Sequence, residues 1–199
     1  MTPRPYDTSR RAVAREETRR RITEATVALH GERGILGTSY ADIARRADVS
    51  IPTVYAHFPV LDELVGACGQ HVMQRFKMPG PEIFSDCPHA PARLSRLVDR
   101  LFDLNSAAEP WLRREAVESE IPLVRRFHEN RREALRAVVR DALAPAFTGQ
   151  VPRDIEALAC VLLDHPSCRE LTARLGSDGA RAATRRALRA LLPVRNRAR

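Results

Sequence analysis

An all-α fold is predicted for this 199-residue chain by three observations. Apolar residues recur at helical spacing along nearly the whole sequence, and no stretch alternates convincingly with period two. One segment, MPGPEIFSDCPHAP, interrupts the pattern with four prolines and marks the linker of the sequence.

Taken in order, residues 1–14 are expected to be a disordered basic arm. Ile22, Ala25 and Leu29 then give one face of a first helix, over about 15–32, closed by Gly31 and Gly34. In TSYADIARRADV, Ser39 and Asp42 stand three apart just ahead of Ile43, the spacing of a capping box that opens a second helix. SIPTVYAHF repeats the signal: Ser50 caps, and Pro52 is tolerated because the first helical turn has no amide partner to lose. The two short helices meet at Asp48-Val49, where Asp is among the few non-glycine types that accept a left-handed backbone. Leu61, Leu64, Val65, Cys68, Val72 and Phe76 mark a longer helix over about 60–77.

Beyond the proline-rich linker, stripes run through Leu94, Leu97, Val98, Leu101 and Phe102, then Trp111 and Leu112, then Leu123 to Leu143. Two last helices follow, over about 152–175, interrupted near Pro166, and about 178–192. The expected organisation is a three-helix helix-turn-helix domain at 15–59, a larger helical domain at 60–193 and a basic tail at 194–199.

Charge and cysteine usage bound the class further. The net charge is +8, and every basic residue except Lys77 is arginine. Residues 1–21 and 181–199 each hold seven arginines, while the body between them is mildly acidic. A basic arm beside a DNA-reading helix can follow a minor groove; a solvated tail is the plainer alternative, more so at the C-terminal end. Cys68, Cys87, Cys160 and Cys168 lie far apart, with neither a signal peptide nor an apolar run approaching ~20 residues. The expectation is a cytoplasmic, reduced protein with buried thiols and no membrane partner.

From Ile22 to Val65 the sequence resembles the DNA-binding domain of the TetR family of transcriptional regulators. The resemblance is carried by Gly34, Thr38-Ser39, Ile43-Ala44, Val49-Ser50, Thr53-Val54-Tyr55-Ala56-His57-Phe58 and Asp62-Glu63-Leu64. Three positions depart from the family pattern: Asp48 stands where glycine is usual in the turn, His30 where an aromatic is usual, and Val60-Leu61 where Ser-Lys is usual.

The residues themselves support such a reading. A helix in a major groove presents its first turn to base edges, and hydroxyls near helix N-termini suit phosphates. Ile51 and Pro52 offer apolar contact to a thymine methyl, and Thr53 can bond a base or a phosphate. Ser50 caps the same turn. Thr38, Ser39 and Tyr40, opening the preceding helix, are expected at phosphates, and one of Arg45 and Arg46 reaches another. Resemblance implies a backbone approach for Tyr55 and His57. Val54 and Phe58, four apart, are assigned to the core.

The resemblance further implies a small-molecule effector enclosed by the larger domain and a homodimer paired through the last two helices. Phe76, Phe102, Trp111 and Phe127 are candidate pocket walls, with Glu118, Glu120 or His128 as polar fixing points; ordinary core packing is the alternative. For pairing, Leu158, Leu162, Leu188 and Leu191 supply knobs, and Ala180, Ala183 and Ala187 allow close approach. Cys68, His71, Cys87 and His89 invite comparison with a zinc site, but Cys-x-His is not a standard closed spacing. No metal or cofactor is expected, and no nucleophile elbow or phosphate-cradling loop suggests an enzyme.

The function expected is a ligand-responsive repressor, released from a palindromic DNA operator by an effector. Two alternatives stand beside it: a DNA-binding regulator without an effector, and a helical ligand-binding or enzymatic domain whose DNA-reading helix has decayed.

Overall fold

The structure, a computed structural model, describes residues 8–193. Among them all regular structure is helical: α1 (Thr8–Arg33), α2 (Tyr40–Ala47), α3 (Ile51–His57), α4 (Leu61–Arg75), α5 (Ala90–Leu112), α6 (Glu115–Glu118), α7 (Pro122–Leu143), α8 (Arg153–Leu163) and α9 (His165–Ala190). Two 3₁₀ turns, Pro81–Phe84 and Ala144–Ala146, join them.

The chain divides into two compact units. The first takes the described residues up to Arg75 together with Ala116–Arg125, and the second takes Phe76–Glu115 and the described residues from Arg126 onward. The boundary expected at 59/60 therefore moves to 75/76. The reason is Leu64: it is buried with Ile22, Val54 and Phe58 in one cluster, so α4 completes the core of the helix-turn-helix instead of opening a new domain. A smaller cluster joins Ile35, Val65 and Val124, which explains why residues 116–125 return to this unit.

α1 begins at Thr8, seven residues ahead of the expected start, so the stretch 8–14 assigned to a basic arm is helix. The remainder of that arm, 1–7, and the tail at 194–199 lie outside the described residues. Within α1 the buried residues Ile22, Ala25, Thr26, Leu29 and His30 share one face. His30 occupies the place of an aromatic, and burial holds its imidazole down to about 4, leaving it neutral near pH 7.

In the second unit α5 and α9 form the main pairing, around Leu94, Leu97, Val98, Leu101, Leu163 and Leu188. The proline-rich linker is folded into this core, for Phe84 and Cys87 are buried there. The interruption expected near Pro166 is the junction of α8 and α9, with Asp164 capping His165. A second break falls at Gly176, whose φ of 67° is the left-handed conformation that glycine adopts without steric cost.

Candidate nucleic-acid interface

The helix-turn-helix is built by its caps. The Asp42 amide donates to Ser39 Oγ at 3.1 Å and the Ser39 amide donates back to the Asp42 carboxylate at 3.2 Å, closing the capping box. Asp48 ends α2 with φ 53° and ψ 55°, and its amide reaches the carbonyls of Ala44 and Arg45. α3 starts three residues later, with Ser50 Oγ accepting from the Thr53 amide at 3.2 Å.

This geometry sorts the α3 side chains by face. Val54 and Phe58 are fully buried, as their spacing predicts, while Ile51, Pro52, Tyr55 and Ala56 are exposed. Ile51 and Pro52 thus present an apolar first turn to solvent. Thr53 is half-buried, and its hydroxyl is in hydrogen-bond contact with Ser50 Oγ at 2.7 Å, either of them the donor.

The residues opening α2 are arranged differently from the expectation. Thr38 donates its hydroxyl to the Gly34 carbonyl at 2.7 Å, Ser39 donates to the Asp42 carboxylate at 2.6 Å, and Tyr40 donates to the Phe58 carbonyl at 3.2 Å. All three protons are used inside the unit, so in this geometry these hydroxyls hold the loop and α2 in place and are not free donors to a phosphate. Hydrogen bonds from Ser39 also lower the Asp42 carboxyl below its ordinary value. The two arginines differ: Arg46 lies at 2.7 Å from both oxygens of Glu32, whereas the Arg45 side chain is 76% exposed and 3.4 Å from Asp42.

His57 ends α3 half-buried, its Nδ1 without a hydrogen-bond partner. Burial, reinforced by the charges of Arg15 and Arg19, lowers its imidazole below the ordinary histidine value. The His57 carbonyl accepts from Arg19 Nη1 at 2.8 Å, and the same guanidinium lies 4.2 Å over the Phe58 ring. Sequence reasoning missed Arg19. Its signal was its place three residues before Ile22, where the buried stripe of α1 would continue toward the N-terminus.

The model of a family described as "Bacterial regulatory proteins, tetR family" matches residues 22–68, the span of these helices. Over these residues the chain is similar to the TetR family. An HTH-type transcriptional repressor of Mycobacterium tuberculosis, Rv3405c, is 41% identical over 73 residues, 36% of this chain and 39% of that protein. The HTH-type transcriptional regulator LuxR of Vibrio harveyi is 27% identical over 95 residues, 48% of this chain and 46% of the regulator. The chain thus spans less than half the length of the curated relatives it matches. Likeness over most of the length comes from solved structures and concerns the fold. The multidrug binding protein EbrR complexed with malachite green gives a TM-score of 0.66 at 23% identity, covering 88% of this chain and 98% of that one. A TetR-family member from Streptomyces coelicolor gives 0.65 at 21%, covering 89% and 99%.

The TetR-family expectation of an effector pocket is met unevenly by the candidate residues. Phe76 and Trp111 come together in the second unit, ring centroids 5.1 Å apart and planes tilted by 42°. Phe127 and His128 are half-buried on α7. Phe102 is buried in the core with the Arg181 guanidinium 5.5 Å from its ring. Glu118 belongs to the first unit, where its carboxylate accepts the Ile35 amide at 2.6 Å, and Glu120 is exposed in the same unit. An open groove of about 890 Å³, lined by Arg136, Arg140, Glu156, Cys160 and Val161 among others, takes in none of these candidates.

Of the residues expected to pair two chains, Leu188 and Ala180 are buried within this one, whereas Leu158 and its neighbour Val161 face solvent on α8. Cys68 and His71 fall in the first unit, Cys87 and His89 in the second. Among the described residues no group of three or more His, Cys, Asp or Glu is placed to hold a metal ion. Burial raises the thiols of Cys68 to about 12 and Cys168 to about 11, so both stay protonated. No described helix is long and apolar enough to cross a membrane.

Proposed function

We propose that this chain is a homodimeric transcriptional repressor that holds a two-fold DNA operator through α3 and releases it when a small molecule binds the second unit. The observation that carries the reading is the exposed apolar turn Ile51-Pro52, held out by a capped helix behind the left-handed turn at Asp48. Arg45, 76% exposed and 3.4 Å from the Asp42 carboxylate, is a candidate cation for the phosphate backbone. Repression is supported by the name of the mycobacterial relative, which shares the DNA-binding part.

Release by an effector is supported by the paired rings of Phe76 and Trp111, with Phe127 and His128 as further candidates, and by the fold shared with a multidrug binding protein. Such a ring pair suits a flat, apolar ligand. Leu158 and Val161 give α8 an apolar face for a second copy. The mechanism is a population shift, in which the effector favours the dimer whose two recognition helices are misplaced for successive major grooves.

A footprint of the purified protein on DNA flanking its own coding region tests the reading. An inverted repeat with half-sites about 34–36 Å apart, or a multiple of that spacing, is expected. A protected site without inverted symmetry, or none at all, contradicts it.

A further inference from the structure

The C-terminal end of α3 is held by two donors from two other helices. Arg19 of α1 donates to the His57 carbonyl at 2.8 Å, and Tyr40 of α2 donates to the neighbouring Phe58 carbonyl at 3.2 Å. Each donor is also fixed by a ring: the Arg19 guanidinium lies 4.2 Å over Phe58, and the Tyr40 ring stacks on Tyr55 at 4.5 Å. A helix of seven residues has few internal hydrogen bonds with which to keep its own direction. At its start, Ser50 is the capping side chain. The opposite end is where outside groups act, and a cation there also complements the helix dipole.

We infer that Arg19 is a positioning residue for DNA reading: with Tyr40 it brackets the end of α3 and sets the angle at which Ile51, Pro52 and Thr53 meet the base edges. Arg19 lies outside the span matched by the family model. Its guanidinium is half-buried against Phe58 and faces a protein carbonyl, so its contribution to binding is directional and carries no phosphate contact. Base contacts depend steeply on that angle, whereas contacts to phosphates on a random duplex do not. The inference rests on the operator-binding role of α3 proposed above.

The test compares full-length wild type, Arg19→Met, Arg19→Lys and Tyr40→Phe on an operator duplex and a random duplex at several salt concentrations. Arg19→Met should lower operator affinity about tenfold. Its affinity for the random duplex and its slope of log affinity against log salt should stay at the wild-type values. Arg19→Lys, which keeps a donor and a cation, should recover most of the loss, and Tyr40→Phe should show a loss of the same kind. The His57 imidazole, followed by NMR, should titrate higher in Arg19→Met and return in Arg19→Lys, as loss and return of a neighbouring cation require.

A slope flattened by about 0.9 per subunit in Arg19→Met would make Arg19 a phosphate contact and overturn the inference. So would unimpaired operator binding in Arg19→Met, or in Tyr40→Phe should the methionine variant fail to fold. A wild-type chain with no operator preference overturns the reading of α3 and this inference with it; an impaired wild type is thereby distinguished from an unimpaired variant.

Discussion

Tyr40 and Tyr55 stack with their ring centroids 4.5 Å apart and their planes 13° from parallel. The pair joins α2 to α3, and Tyr55 remains 50% exposed. Tyr55→Phe keeps the ring and removes the hydroxyl. Operator affinity should fall by about 1–3 kcal/mol, as it should for Thr53→Ala, with thermal unfolding nearly unchanged. Tyr55→Ala should in addition destabilise the unit by about 0.5–1.5 kcal/mol from the lost stack. Unchanged operator affinity in Tyr55→Phe and Thr53→Ala would remove the reading role of α3.

Leu61 is 47% exposed at the start of α4, and the buried stripe begins at Leu64. Leu61→Lys should therefore fold, at a cost below about 1 kcal/mol from a cation near a helix N-terminus. If α4 approaches DNA there, the salt slope should steepen by about 0.9 for each subunit. A strongly destabilised variant with an unaltered slope would show that the protein uses no anchor at this position.

Asp48 carries the one positive φ among the described non-glycine residues, 53°. Asp48→Val should destabilise the first unit by about 1–2 kcal/mol, because a β-branched side chain is the least suited to that conformation. Asp48→Gly should unfold no earlier than wild type and should bind DNA more tightly, having lost an exposed negative charge. Equal urea midpoints for the valine and glycine variants would contradict this.

His30 has a folded-state value of about 4, well below the ordinary value near 6.5. The unfolded chain then binds the proton more readily. Stability from this group is complete above about pH 6.5 and is lost as the pH falls through 4, up to about 3 kcal/mol in all. Urea midpoints for wild type and His30→Phe should converge with rising pH and separate below pH 6. A constant difference between pH 7 and pH 4.5 would mean that His30 is not the titrating group.

Glu118 accepts the Ile35 amide in a buried position. Glu118→Ala should cost about 1–3 kcal/mol, because the amide loses its partner, and Glu118→Gln should recover part of it through the remaining carbonyl oxygen. Any effector response should survive in Glu118→Gln. Equal stability of all three proteins, measured by thermal unfolding, would refute the tie.

How much of this could be read from residue order follows the range of the interactions involved. Ser39-Asp42, Asp48 and Ser50-Pro52 are local devices acting over two or three residues, and each appears in the structure where the sequence placed it. The burial of Val54 and Phe58 followed from helical spacing alone. What escaped depends on contacts between distant segments. Glu118 meets Ile35 across 83 positions and Arg19 meets His57 across 38, and no periodicity records such pairings. The hydroxyls of Thr38, Ser39 and Tyr40 were legible as hydroxyls, but the destination of each proton is a property of the folded loop. The division at 75/76 was hidden for a similar reason: the stripe of α4 does not state which core it faces.

The Ser50 and Thr53 hydroxyls lie in hydrogen-bond contact, each with its own proton, and either can be the donor. Whichever accepts keeps its own proton for an outside partner, so the pair can donate toward a base acceptor or accept from a base amine with only a small rotation. A reader of this kind registers that a polar edge is present more than which edge it is. In a selection from randomised duplexes, the position facing the pair should therefore tolerate several bases, while the position facing Ile51 and Pro52 should favour thymine. Replacing either hydroxyl alone leaves one rotor that still donates and accepts, so the recovered sequences should stay tolerant at that one position.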